Sequence, residues 1–296
     1  MRIAVTGATS FIGSAFIKAA AAKGHSIVAV VRRNSSKADE LRAMENVTVT
    51  ELDMEEYDRL GEAAGETDCF VHFAWNGTRG LQRADESLQR ASYENSMAAV
   101  RSVIAAGCHK VVTAGSQAEY GNVRDMITED TECCPNTMYG TYKLRFFREA
   151  QELCRENGIP LVEPRFFSLY GPGDFEGTLI MSMIRKMKNN EPCDLTECIQ
   201  MWDFLYVSDA VGAVLRLCEK ETAEGVYNLG SGDVRQLKDY VEELYTITGS
   251  SSELNYGAVP YPPTGMVSIY PSVEKTKAEA GEYAVTSFRD GIMSMI

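Results

Sequence analysis

The chain has 296 residues, 45% of them hydrophobic and 24% charged, enough to bury a sizeable core as one large domain or two ordinary ones. A formal net charge of −13 argues against nucleic acid or an anionic membrane as the main partner. No run approaches the ~20 apolar residues of a membrane span, and Lys18 and the glycines interrupt the apolar start, which reads as strand plus helix, so a cytoplasmic location is expected.

The first predicted strand, Arg2–Thr6, runs into Gly7-Ala8-Thr9-Ser10-Phe11-Ile12-Gly13 and a helix over 11–23. This strand–turn–helix suits a dinucleotide pyrophosphate. Gly7 permits the tight turn, Gly13 lets the helix approach the sheet, and the helix start directs unpaired N–H groups at phosphate. Ser10 stands where the middle glycine is usual. The second strand, Ser26–Val31, is followed by Arg32-Arg33-Asn34-Ser35-Ser36-Lys37. Sites for NAD place an acid there to bind the ribose 2′-hydroxyl, whereas Arg32, Arg33, Ser36 and Lys37 suit a 2′-phosphate. NADP(H) is therefore favoured, with NAD(H) as the alternative.

Further strands are expected at Val47–Glu51, 69–73, 110–114 and 161–167, with helices over 36–45, 55–64, 84–106 and 138–157. Val/Ile/Phe strands alternating with helices predict an α/β fold, a doubly wound parallel sheet of the Rossmann kind over 1–168. After residue 168 the pattern loosens. A helix near 177–189, a strand-to-helix segment over 204–217, a strand at 226–229 and a helix near 234–247 predict a smaller C-terminal α/β lobe over 169–296. The stretch near 204–232 returns to the first domain. The tail, with Pro260, Pro262, Pro263 and Pro271, reads as loops and one short helix. Eight cysteines without C-x-x-C spacing, and three histidines, predict reduced thiols and no metal site.

Tyr139-Gly140-Thr141-Tyr142-Lys143 puts a phenol and an ammonium at i and i+4 on one helix face, where the cation favours phenolate. Ser116 follows the strand at 110–114, at the carboxyl end where open α/β sheets bind ligands; it also suits a helix cap.

Together with Asn95, the 165–173 run, the 202–209 run and Tyr227-Asn228-Leu229-Gly230, these residues resemble the extended short-chain dehydrogenase/reductase family, in its nucleotide-sugar epimerase and dehydratase group. The resemblance implies that Tyr139 is the acid/base, that Lys143 lowers its pKa and binds the nicotinamide ribose, and that Ser116 bonds the same substrate oxygen. Asn95 would support the proton relay or the helix. It also implies adenine contacts at Asp53 and Met54, further cofactor contacts at Phe73, Ala74, Trp75 and Phe166, and a homodimer through the helices at 84–106 and 138–157. Departures from the family pattern bear on the sugar. Gln117 and Ala118 replace the Asp-Glu pair of the dehydratases, Trp202 replaces an Arg, and Ser168 replaces an Asn. Trp75, Asn76 and Arg79 occupy a loop where small residues are usual. Trp75, Asn76, Arg79, Gln117, Ser168 and Trp202 are thus the expected substrate contacts. Arg185, Lys186 and Lys188 are either phosphate ligands or solvated helix charges. The 115–121 and 200–204 runs are most similar to reductases of nucleotide-linked 4-keto-6-deoxyhexoses, such as CDP-abequose and CDP-paratose synthases. The expected activity is an NADP-dependent 4-ketoreductase of a nucleotide sugar. Alternatives are an NAD-dependent nucleotide-sugar 4-epimerase and a non-catalytic NADP-binding redox sensor.

Overall fold

The computed structural model describes residues 1–261 and 266–296; Pro262 and Pro263 lie outside the described residues. Seven parallel strands, β1 (Arg2–Thr6), β2 (Ser26–Val31), β3 (Val47–Glu51), β4 (Cys69–His72), β5 (Val111–Thr113), β6 (Leu161–Phe166) and β7 (Gly225–Leu229), run in the order β3-β2-β1-β4-β5-β6-β7. The two-residue strand Gly115–Ser116 prolongs the β5 side and pairs with β6. The winding direction reverses between β1 and β4, which opens a crevice at the carboxyl ends of those strands.

Side chains alternate across the sheet, as the period of two in a strand requires. Ile3, Val5, Ile27 and Ala29 face α1 (Phe11–Ala22) and α7 (Val207–Glu219), in a core with Phe16, Val211 and Leu215. Ala4, Val28, Val30 and Phe70 face α4 (Glu86–Ala105) and α5 (Met138–Glu156), in a core with Val100, Val103, Phe146 and Ala150. Because both faces are covered, the strands read as unbroken apolar runs.

Two predicted helices change form. The 36–45 helix shortens to Ala38–Arg42, where Lys37 supplies no capping side chain and Asn46 takes a left-handed φ of 61° ahead of β3. The 55–64 helix splits into a 3-10 turn, Met54–Arg59, and a short helix, Leu60–Ala64. There Asp53 and Glu56 form a capping box.

A third core, with Tyr170, Met183, Ile184, Tyr240, Leu244 and Phe288, belongs to the C-terminal lobe. Its helices are Leu179–Lys188, Leu237–Thr248 and Phe288–Met293. Two small sheets outside the main one, Ser168–Tyr170 with Phe204–Tyr206 and Met201–Trp202 with Arg235–Gln236, lie in the same part of the chain. The buried Asp203 carboxylate accepts from the Ser231 and Gly232 amides at 2.7 and 2.8 Å, which holds the turn after β7 beside the crevice. Among the described residues, no helix is long and apolar enough to cross a membrane.

Candidate active site

The first turn is built by close approach. Gly7 has φ 65°, and a Cβ there would lie 2.7 Å from the Ala74 amide nitrogen. A Cβ on Gly13 would lie 2.2 Å from the Gly7 carbonyl oxygen. Ser10 takes an extended conformation and caps α1, its Oγ accepting from the Gly13 N–H at 3.1 Å. A serine therefore suits the middle position: its N–H bonds the Gly7 carbonyl at 2.9 Å and its hydroxyl takes the Gly13 N–H, so that the N–H groups of Phe11 and Ile12 remain at the helix start.

Three connected hollows follow the carboxyl edge of the sheet. A groove of about 210 Å³ is lined by Gly7, Thr9, Ser10, Arg32, Met54, Phe73, Ala74, Trp75 and Asn76. An open hollow of about 560 Å³ is lined by Thr9, Arg32, Arg33, Ser36, Lys37 and Asp53. The main cleft, about 530 Å³, holds Ser10, Phe11, Ile12, Phe73, Trp75, Arg79, Ser116, Tyr139, Lys143, Phe166, Ser168 and Trp202. Gln117 lines a side pocket shared with Trp202, and Gly13 lies buried beneath the turn. The arrangement fits an extended dinucleotide, with a helix start at its middle and basic side chains at one end.

Thr137 caps α5 through its hydroxyl, which starts the helix where Tyr139 and Lys143 turn inward. Both are buried, at 8% and 3% exposure. Ser116 is at once a cap and a site residue. Its Oγ accepts from the Ala118 N–H at 3.2 Å, Glu119 accepts from the Ser116 N–H at 2.7 Å, and Ser116 lines the same cleft as the Tyr139 phenol.

The electrostatics differ from the expectation that Lys143 holds Tyr139 low. Burial raises the Tyr139 pKa, opposed by the Ser116 hydrogen bond and by the charge of Arg83. Lys143 Nζ instead donates to the Ala114 carbonyl at 2.8 Å and sits 4.0 Å from the centroid of the Trp75 ring. Burial pulls the ammonium down to about 8, against Glu119 and Glu163. Those two carboxylates flank the buried Arg165 guanidinium at 3.0 Å each, directly behind Gly115.

At the basic end the four expected cations and hydroxyls are not equivalent. Arg33 is clamped by Asp53 at 3.1 Å and by both oxygens of Glu56, whereas Arg32 and Lys37 are exposed along the same hollow. Asp53 is thereby committed to Arg33 and to the capping box. Arg185, Lys186 and Lys188 lie in the last turn of their helix, with Arg185 near Glu191 and Lys186 on the Pro192 carbonyl. The opposite end of that helix, Thr178 and Leu179, meets the cleft.

Asn95 is half-buried and lines none of these hollows. The α4 residues that reach the site are others. Gln89 accepts from Trp75 Nε1 at 2.8 Å and donates to the Gly77 carbonyl, which fixes the indole under Lys143. The Ser92 hydroxyl accepts from the Asn76 amide at 3.2 Å. Their i, i+3 spacing toward a tryptophan-bearing loop was the available signal. Two further residues come from folding alone: Arg83, stacked on the Tyr139 ring, and Asp174, buried across the cleft.

The sequence pattern of the NAD dependent epimerase/dehydratase family matches residues 3–230. CDP-abequose synthase from Salmonella muenchen is 26% identical over 267 residues, covering 87% of this chain and 84% of that one. A UDP-glucose 4-epimerase from Thermotoga maritima, solved with UDP-glucose, superposes with a TM-score of 0.87 at 22% identity, over 99% of this chain and 96% of that one. UDP-glucuronic acid 4-epimerase from Bacillus cereus, solved with NAD, gives 0.84 at 20% identity, over 99% and 96%. A switch-point crevice, a glycine turn at a helix start and a buried tyrosine–lysine pair, together with a match over residues 3–230, place the chain in the NAD dependent epimerase/dehydratase family of enzymes.

Proposed function

We propose that this protein is an NADP-dependent reductase of a nucleotide-activated 4-keto sugar. The observation that carries the reading is the convergence of Ser116, Tyr139 and Lys143 on one cleft wall, continuous with a groove that ends at Arg32, Ser36 and Lys37. Bound nicotinamide would supply the hydride. Tyr139 gives its phenolic proton to the C4 oxygen as that oxygen gains charge, and the burial that raises its pKa keeps the proton in place until then. Ser116 donates to the same oxygen and orients it. Giving up the proton leaves Tyr139 as a phenolate, whose negative charge the Lys143 ammonium balances; burial brings that ammonium down to about 8, and Lys143 would also hold the cofactor ribose. Gly7 and the start of α1 would hold the pyrophosphate, and Arg32 and Lys37 would hold the 2′-phosphate. Resemblance to CDP-abequose synthase supports the sugar-nucleotide class. A homodimer through α4 and α5 belongs to the same reading.

One observation favours a second reading, an NAD-dependent 4-epimerase. Arg33 is neutralised by Asp53 and Glu56, so the basic end is weaker than its composition suggests. Two measurements on purified protein separate the readings. Mass spectrometry of the denatured protein finds NADP, or an empty site preferring NADPH to NADH, if it is a reductase; near-stoichiometric NAD makes it an epimerase. With 4-keto sugar nucleotides as substrates, Tyr139→Phe lowers turnover by roughly 10²–10⁴-fold while cofactor affinity is kept. Unchanged turnover sinks the mechanism.

A further inference from the structure

The segment between β4 and α4 brings two arginines to the cleft, and the fold treats them differently. Arg79 is ion-paired at 3.6 Å to Asp174, whose carboxylate also accepts from the Phe175 amide at 2.7 Å. Arg83 has no carboxylate against it among the described residues; its guanidinium carbon stands 4.6 Å from the centroid of the Tyr139 ring. It lines both the main cleft and a side pocket of about 250 Å³. Gln117, Asn136 and Thr137 supply polar walls to that pocket, and Trp202 borders both it and the cleft. A half-buried guanidinium with no counter-charge, beside a reacting phenol, is completed best by an anion. On the proposed reading Tyr139 protonates the oxygen on C4. The sugar atoms nearest Arg83 are then C4 and the substituents of its neighbours, and the diphosphate on C1 lies across the ring.

We infer that Arg83 binds a carboxylate carried on C5 of the sugar, so that the substrate is a nucleotide-activated hexuronic acid or its 4-keto form. A 6-deoxy sugar puts a methyl group at that position and offers the guanidinium nothing. The planar fork of arginine matches a carboxylate with two parallel N–H bonds, and the side pocket leaves room for its outer oxygen. The inference rests on Tyr139 acting at C4.

The test is calorimetric titration of UDP, UDP-glucose and UDP-glucuronic acid into wild-type protein and Arg83→Gln, with circular dichroism and NADPH binding confirming that the variant is folded. Wild type is expected to bind UDP-glucuronic acid about 10-fold more tightly than UDP-glucose, the size of one charge-assisted contact. Arg83→Gln is expected to erase that difference and to leave UDP itself within about 2-fold. Equal affinity for the two sugars in wild type, or a preference that survives in the variant, overturns the inference. Equal weakening of all three, UDP included, assigns Arg83 to the diphosphate and overturns it as well. Binding of none of the three, nor of CDP, dTDP, GDP or ADP, by folded wild-type protein overturns the nucleotide-sugar reading, and this inference with it; binding of another nucleoside diphosphate in place of UDP moves the same comparison of hexose and hexuronic acid to that base.

Discussion

His72 shows how far a single residue is decided by its surroundings. It ends β4 with its ring wholly enclosed, Nδ1 2.7 Å from Thr6 Oγ1 and Nε2 2.8 Å from Ser96 Oγ. The Ser96 hydroxyl gives its proton to the Ser92 carbonyl at 2.6 Å, so Nε2 donates to it and Nδ1 accepts from Thr6. Burial and the charge of Lys143 push the imidazole down to about 3. A depressed folded pKa means that the unfolded chain binds the extra proton first. Stability is therefore fully present above pH 6.5 and is lost as pH falls toward 3. Between pH 6.5 and pH 4 the loss is about 3 kcal/mol. Urea midpoints across that interval are expected to fall more steeply in wild type than in His72→Gln, which keeps a donor and an acceptor but does not titrate. Parallel slopes would show that other groups govern the acid limb.

Among elements, the first turn carries the tightest constraint. Gly13 is helical, so backbone freedom is not its reason for being there. A methyl group at this position meets the Gly7 carbonyl oxygen at 2.2 Å, and a backbone atom cannot step aside as a side chain can. Gly13→Ala must move α1 or open the turn. We expect a destabilisation of roughly 1–3 kcal/mol, read from denaturant midpoints, together with weaker NADPH binding by fluorescence titration. Ordinary stability with unchanged cofactor affinity would mean that α1 shifts freely. At this scale much was legible in the chain. β1 and β2 fall where their apolar runs end, and α5 starts at Met138 behind the Thr137 cap. The weak segments were less legible, because the 36–45 stretch has no capping side chain and few apolar anchors. Asp53 was expected to contact adenine; that it caps the 3-10 turn and holds Arg33 was not legible, since its partners Glu56 and Arg33 meet only when β2 and β3 pair.

For the whole molecule, local pattern and long-range pairing divide the outcome. The sequence by itself determined the doubly wound sheet, the glycine turn after β1, and the tyrosine–lysine pair on one helix face. Each depends on spacing within a few residues, and the periods of strand and helix are properties of the backbone. The same was true of family membership, whose motifs run in order along the matched 3–230. Only the tertiary structure decided which charges are spent and which are free. Arg33 is clamped by residues 20 and 23 positions away, Arg79 by Asp174 across the cleft, and Arg83 comes to rest on Tyr139 unpaired among the described residues. It also turned Lys143 onto Ala114 and Trp75, and brought Gln89 and Ser92 to the Trp75-Asn76 loop while Asn95 lines none of the hollows. Charge pairing and burial depend on neighbours distant in sequence, and a side chain's proton affinity follows its neighbours and its access to water, neither of which one segment of chain contains.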